Sequence, residues 1–443
     1  MTHPQDLSLR EQAAAIASGE LEPAELLDAT LARIEERDGE LNSVVATFPD
    51  GSREMLASAP RGPLHGVPIA VKDMYRVPWR GPRDGTPTEQ LPPGESAVFR
   101  AMRDAGAVVV GHTNTHFWGG GSTGHVSAYG PVGNPWDVRH CGGGSSGGSA
   151  ASVGARLVAG SIGADGGGSI RLPGAYCGVT GLKSTFGAVS SDGYTHPYAS
   201  VDAHGVFCRD AGDARLLASA LLGSDLPAGD GAGLRVAVVP EPFWTDLDPE
   251  VERACRDALG ASGWAVEEIA LAGAEHAQIA AVLRLTLENL PGIGDEELAE
   301  ANPLMKALVK YEKLLPAELL VRADRVRAQL RRSVADAFGR FDVLAWPTVP
   351  APAPPIESPV VQLPSGQHPA DAGNIRQTGF GNLCGIPGMT VPAGLHSSGL
   401  PIGLQLQAAW GREDLLLDAA EHLEQATGRE HVDALPPIAA ATA

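Results

Sequence analysis

Apolar residues fall at helical spacing at both ends of the 443-residue chain and in short, strand-like runs between them. Ser8 with Glu11 three positions on, ahead of Ala13, Ala14, Ala15 and Ile16, predicts a capped helix that Gly19 stops. Pro23 opens a second helix whose Leu26, Leu27, Leu31 and Ile34 share one face until Asp38-Gly39 ends it. A strand is expected at about 43–48. Ile69-Ala-Val71 behind Pro68 is a short apolar run that predicts a strand entering a core, with Lys72 directly behind it. A helix within 95–104, stopped by Gly106, and a strand at 107–110 come next, and that strand delivers the loop GHTNTHFWGGGSTGH.

Further along, 200–223 reads as a loop and then a helix, and 234–239 as an apolar strand followed by a helix at about 249–261 and a strand near Val266. From about 276 to 338 the composition turns helical, with Leu283, Leu287 and Leu290 at i, i+4 and i+7 and later Leu319, Leu320 and Val326. The proline cluster from Pro347 to Pro359 predicts an extended connector. It leads to Asn382-Leu-Cys-Gly-Ile-Pro, two apolar strands and a final helix at about 413–425. No repeat or separable linker interrupts the alternation of strands and helices. The expected class is therefore α/β, a single domain over 1–443 around a large mixed sheet.

Composition narrows the functions open to such a domain. Thirty-three basic against fifty-three acidic side chains give a net charge of −20, which repels polyanions and makes nucleic acid and anionic membranes poor partners. No hydrophobic run approaches a membrane span, and MTHPQDLSLREQ lacks the basic and apolar regions of a signal peptide, so a cytoplasmic location is expected. Cys141, Cys177, Cys208, Cys255 and Cys384 are widely spaced without a C-x-x-C pair, which indicates neither zinc nor a disulfide frame. The expectation is reduced thiols, no metal and no cofactor. Oligomeric state is not readable from the sequence, and a homodimer is one possible assembly.

The candidate chemistry lies between Gly142 and Arg171, where serines set in glycine runs, Ser145 and Ser146 first and Ser169 last, flank a segment of small residues. Residues without Cβ let the backbone turn sharply and bring N–H groups close to a ligand, where they can face a developing oxyanion. The intervening AASVGARLVAGSIGA is too apolar for a solvated Gly/Ser tether. Gly142, Gly144 and Gly147 fit a dinucleotide-binding pattern but lack the preceding buried strand, and no Lys-Ser/Thr pair follows that would make a P-loop. Gly143-Gly144-Ser145-Ser146-Gly147 fits a nucleophile elbow, yet no later histidine stands out as its partner. Lys72 reads either as a snorkelling strand end or as a buried amine, whose neutral form could act as a base.

The set HGVPIAVKD, GPVGNPWD, GGGSSGGSAASVGA, ADGGGSIRLPGAYCGVTGLKSTFG and GNLCGIPGMTVPAGLHSSGLPIGLQLQ resembles the amidase signature family over roughly Leu7 to Gly428. The resemblance implies that family's fold, a twisted mixed sheet covered by helices on both faces. It divides the chain into N-terminal helices at 7–38, a signature core at about 64–223, a variable helical region at about 276–338 that caps the substrate entrance, and C-terminal strands and helix at 378–428. It also implies Lys72 as base, Ser145 on a cis peptide as proton relay, Ser169 as nucleophile, and the N–H groups of Gly166, Gly167, Gly168 and Ser169 as oxyanion hole. Ser146, Asp165 and Arg171 are expected to support the loop, Asp165 and Arg171 as a charge pair. Ala164 stands where the family has a threonine, Gly166 replaces a residue with a side chain, and Ser184 replaces a proline.

The reaction implied is hydrolysis of an amide through an acyl-enzyme, with esters and carbamates sharing the carbonyl geometry. Phe117, Trp118, Tyr194, Tyr198 and Leu287 could line an apolar or aryl pocket, which makes a small-molecule amide the expected substrate. The alternative is the glutaminase A-type subunit of a tRNA-dependent amidotransferase, which resembles the same family. A third reading, a binding scaffold without catalysis, is disfavoured because all three catalytic positions are intact.

Overall fold

The structure is a computed structural model that describes residues 3–195, 199–289, 298–299, 303–312, 314–428 and 436. Ser8 accepts from the Glu11 N–H while Glu11 accepts from the Ser8 N–H, so the expected capping box opens the helix Leu9–Ser18 and Gly19 closes it at φ 79°. The helix Pro23–Arg37 follows, with Leu26, Leu27 and Ile34 buried.

One 11-stranded sheet runs through the molecule in the order β1-β3-β2-β4-β6-β5-β12-β13-β9-β7-β8. Its strands are β1 Val44–Thr47, β2 Pro68–Lys72, β3 Val108–Thr113, β4 Gly160–Asp165, β5 Thr180–Lys183, β6 Ala203–Cys208, β7 Arg235–Val238, β8 Ala265–Glu268, β9 Val343–Pro347, β12 Gly388–Leu395 and β13 Pro401–Gln407. The remaining pair, β10 Val360–Leu363 and β11 Gly366–Pro369, forms a separate hairpin. The sheet is mixed: β3, β2 and β4 are parallel neighbours, β4, β6, β5, β12, β13 and β9 pair antiparallel in turn, and β9, β7 and β8 are parallel again.

Both faces of the central strands are buried, which is why these strands read as unbroken apolar runs, whereas the edge strand β8 is exposed. Along β2, Ile69 and Val71 join one core, with Leu26, Phe99 and Leu217, whereas Ala70 joins a second core with Leu27, Ile34 and Val153. Along β3, Val109 faces the first core and Val108 and Val110 the second. The helices are thus divided between the two faces, as the family resemblance implies.

The structure departs from the sequence expectations in four places. Residues 203–208 form a buried strand, β6, where a loop was expected, because Ala-His-Gly-Val-Phe-Cys is covered on both faces and shows no alternation. Residues Pro49–Ala57 form a helix, entered through the proline in its first turn. Within the region after the proline connector, β10 and β11 pair around a tight turn. Asn382-Leu-Cys closes a helix, Ala370–Cys384, that was not expected, before the two expected strands β12 and β13 and the final helix Glu413–Thr427 follow. That helix buries Asn374, Gln377, Thr378 and Asn382, so its inward face is polar and leaves no apolar period to read.

The helical region expected at 276–338 contains the helices Ala277–Asn289, Pro303–Glu312 and Glu318–Phe338. The first lies against Ala370–Cys384 so closely that a Cβ at Gly379 would stand 2.8 Å from Ala281 Cβ. Tyr198 and Leu290 lie outside the described residues.

The helix Arg171–Cys177 presses on β13 at Gly403, where a Cβ would come 2.6 Å from Ala175 Cβ and 3.0 Å from Ala175 Cα. Backbone on the facing side cannot rotate away, so Gly403→Ala is expected to destabilise the fold by about 1–3 kcal/mol, the usual cost of overpacking. A thermal melt of the purified variant checks this, and an unchanged midpoint would contradict the packing described.

Candidate active site

Parallel pairing of β2 with β4, Ala70 opposite Ser161 and Val71 opposite Ile162, brings the ends of both strands to one edge of the sheet. Lys72 ends β2 and Asp165 ends β4. Ligand sites in open α/β sheets form at such carboxyl ends. The turn that carries Ser145 enters the helix Gly147–Gly154, which precedes β4 in the chain. The Gly144–Ser145 peptide is cis, as the resemblance implies.

Lys72 Nζ lies 2.7 Å from Ser145 Oγ, and both residues are 1% exposed. The His116 N–H and the Thr115 hydroxyl donate to the Ser145 carbonyl at 3.0 and 2.9 Å, which fixes the turn. Ser146 Oγ donates to the Ala164 carbonyl at 3.0 Å, and the Ser146 N–H donates to the Ser169 carbonyl at 3.3 Å. Ser146 therefore joins the two serine turns rather than standing free. Ser169 itself is only half-buried.

The Ser169 loop is held from below by Asp165. One carboxylate oxygen accepts from the Gly168 N–H at 2.7 Å, the other from the Ile170 N–H at 3.1 Å, and Arg171 closes an ion pair at 3.0 Å with both side chains fully buried. Arg171 also donates to the Thr378 carbonyl at 3.0 Å, to Gln405 Oε1 at 3.1 Å and to Asn382 Oδ1 at 2.6 Å. Asn382 in turn donates to the Asp165 carboxylate at 2.9 Å, and the Thr378 hydroxyl donates to the Gly167 carbonyl at 2.6 Å. Asp165 and Arg171 stand out in the sequence beside Ser169. Thr378, Asn382 and Gln405 do not, because their only signal is polar residues inside otherwise apolar C-terminal segments.

Gly168 departs from expectation. Its N–H is committed to Asp165, so it is not available to an oxyanion. The N–H groups of Gly166, Gly167 and Ser169 donate to no acceptor among the described residues. Gly168 has a different use: its φ of 128° belongs to glycine, and a Cβ there would stand 2.3 Å from Thr378 Oγ1.

Burial disfavours a charged amine and pushes the Lys72 amine down from 10.5 to about 8, against the opposing pull of Asp202, Asp84 and Asp165. Burial acting alone would raise the Asp165 carboxyl, but Arg171, Lys183 and Asn382 hold it well below the usual carboxylate range. Lys183 is a second buried lysine, pushed to about 7 by burial and by Arg171, but its Nζ donates to the Ser184 carbonyl at 2.8 Å. Lys72 is thus set apart by its hydroxyl partner, not by burial alone.

Phe117 is buried with Val309 in a small cluster against which Trp118, Val126 and Leu298 pack, and Trp118 sits at φ 55°. Tyr194 is buried with its ring 5.1 Å from Tyr75 and 5.0 Å from His204. Leu287 is half-buried on the helix Ala277–Asn289. Among the described residues no cluster of His, Cys, Asp or Glu could hold a metal, and no helix is long and apolar enough to cross a membrane.

A sheet edge that joins a buried lysine to a serine hydroxyl, beside a second serine in a glycine loop, fits an amide-cleaving enzyme. Comparison with known proteins gives the family: a family model described as Amidase matches residues 25–417, and the chain belongs to that family. Among curated proteins, the chain is 34% identical to the A-type subunit of glutamyl-tRNA(Gln) amidotransferase from Chromohalobacter salexigens, over 95% of this chain and 97% of that one. Among solved structures, it resembles an amidase at 31% identity and a TM-score of 0.88, covering 95% and 100% of the two chains. It also resembles a 6-aminohexanoate cyclic dimer hydrolase at 26% identity and a TM-score of 0.85, covering 98% and 99%.

Two outcomes are expected from this geometry. If neutral Lys72 is the active form, kcat/KM falls as pH drops through about 8, where the amine takes up a proton, and a pH–rate profile would show this limb. Asp165→Ala leaves the Arg171 charge buried without its partner, which should cost about 3–5 kcal/mol and lower the thermal midpoint.

Proposed function

We propose that this protein cleaves carboxamide C–N bonds through an acyl-enzyme on Ser169. The observation that carries the reading is the buried 2.7 Å contact between Lys72 and Ser145, at the sheet edge that also presents Ser169. Ser169 Oγ attacks the carbonyl carbon and gives its proton to Ser145 Oγ, while the Ser145 proton passes to Lys72 Nζ. The oxyanion is met by the N–H groups of Gly166, Gly167 and Ser169, a kind of contact worth about 3 kcal/mol per donor. The C–N bond then breaks, and the leaving amine takes the proton back from Lys72 through Ser145. Water adds to the acyl-enzyme along the same relay and releases the acid, which restores the Ser169 hydroxyl.

Two substrate classes compete within this reaction. The curated relatives weigh for glutamine, with the chain acting as one component of a tRNA-dependent amidotransferase that supplies ammonia to its partners. A stand-alone amidase acting on small apolar or aryl amides is the less supported of the two, and draws on two similar solved structures, an amidase and a 6-aminohexanoate cyclic dimer hydrolase.

Ser169→Ala is expected to abolish both turnover and the mass adduct formed with a fluorophosphonate probe. Adduct formation that survives this substitution would overturn the nucleophile assignment. Ammonia release from L-glutamine, measured with and without added amidotransferase partner proteins, and turnover of a panel of acyl anilides, esters and carbamates separate the two substrate classes.

A further inference from the structure

The inward stripe of the helix Ala370–Cys384 holds the catalytic loop at two points, through Asn382 on Asp165 and Thr378 on Gly167. One turn before Thr378 stands Ile375, which makes no polar contact and belongs to none of the hydrophobic clusters. On the neighbouring helix Ala277–Asn289, Ala281 meets Gly379, and Leu285, four residues on and on the same face, reaches the loop as well. A Cβ at Gly167 would stand 3.0 Å from Leu285 Cδ1 and 3.5 Å from Ile375 Cδ1, so both methyl groups lie against this glycine. Leu285 likewise belongs to none of the clusters. Leu285, Ile375, Gly167 and Ser169 are all half-buried, and Gly167 is two residues before Ser169. An apolar surface, open on one side, thus adjoins the position where an acyl carbonyl would bind.

The charges nearest in sequence each have a partner, and Asp371, four residues before Ile375, accepts from the Ser122 N–H and hydroxyl at 2.7 Å. Arg284 pairs with Asp324 at 3.0 Å and with Glu288 at 3.2 Å, and Glu288 receives the Ser200 N–H at 3.1 Å. Arg376 donates to the Asp246 carbonyl at 2.9 Å. The atoms that stand nearest a Cβ at Gly167 are all aliphatic carbons of Leu285 and Ile375, so the wall presents methyl groups there.

We infer that Leu285 and Ile375 form the wall that receives the acyl part of the substrate, and that this wall selects an apolar acyl chain over a short or zwitterionic one. The inference rests on the acyl-enzyme reading of Ser169. An apolar chain laid on the two side chains leaves water, whereas the ammonium and carboxylate of an amino acid amide would lose hydration there without a partner.

The test compares kcat/KM for hexanoyl and acetyl p-nitroanilide and for L-glutamine. The wild-type enzyme should prefer hexanoyl over acetyl, and Leu285→Ala or Ile375→Ala should lower that ratio by about tenfold, the scale of lost apolar contact in a pocket. Ile375→Val should retain most of the preference. Fluorophosphonate labelling of Ser169 in each variant shows that the loop is intact. A ratio that stays the same in both alanine variants, or a wild-type enzyme that labels at Ser169 yet turns over glutamine and no acyl anilide, would overturn the wall while leaving the acyl-enzyme in place. Absence of Ser169 labelling in the wild type would overturn the acyl-enzyme reading itself.

Discussion

The buried ion pair between Asp165 and Arg171 is the constraint on which the rest of the site depends. Two charges taken out of water at full burial are costly, and their attraction offsets that cost only when the remaining hydrogen-bonding capacity is met. Here it is met from several directions: loop N–H groups and Asn382 on the carboxylate, and Asn382, Gln405 and the Thr378 carbonyl on the guanidinium. The pair therefore acts less as a source of net stability than as a fixture. It sets the path of the chain through Gly166, Gly167 and Gly168 and so the position of Ser169. A glycine loop without such a fixture would have no single conformation to offer a substrate.

Lys72 shows the opposite outcome at the neighbouring strand end. Asp165 finds a cation and stays ionised, whereas Lys72 finds a hydroxyl, and burial pulls its amine toward the neutral form. The carboxylates of Asp202 and Asp84 pull the other way. Asp84 is itself buried, with no hydrogen-bond partner at normal geometry for either oxygen, and burial raises its carboxyl well above the usual range. An Asp84 that holds its proton opposes the neutral amine less than an ionised one would. Two adjacent strand ends thus reach different charge states because their nearest partners differ.

Much of the fold was legible because its signals are local. The capping box at Ser8 and Glu11, the proline start at Pro23 and the apolar runs behind Pro68 and Gly106 act within a few residues, and the structure follows them. The same holds for the glycine-serine stretch, whose motif named the family. Strand β6 and the helix Ala370–Cys384 were not legible, for opposite reasons. The first is buried on both faces and shows no alternation. The second turns polar residues inward because it serves the site rather than the core. That the Gly168 N–H serves Asp165 was not legible either, since nothing in a run of glycines tells which N–H is already taken; only the position of the Asp165 carboxylate decides that. The wall at Gly167 was likewise out of reach, because Leu285 and Ile375 meet only after two helices distant in sequence dock at Gly379.

Apart from Asp165, the partners of the Arg171 side chain lie 207, 211 and 234 residues further along the chain. During synthesis, Lys72, both serine turns and Asp165 leave the ribosome long before Thr378, Asn382 and Gln405 exist to hold them. A guanidinium that must wait for those groups keeps its water until they arrive, and the loop it anchors stays unset. The loop around Ser169 is therefore made early and set late, taking its shape only after the helix Ala370–Cys384 and β13 have been added to the chain.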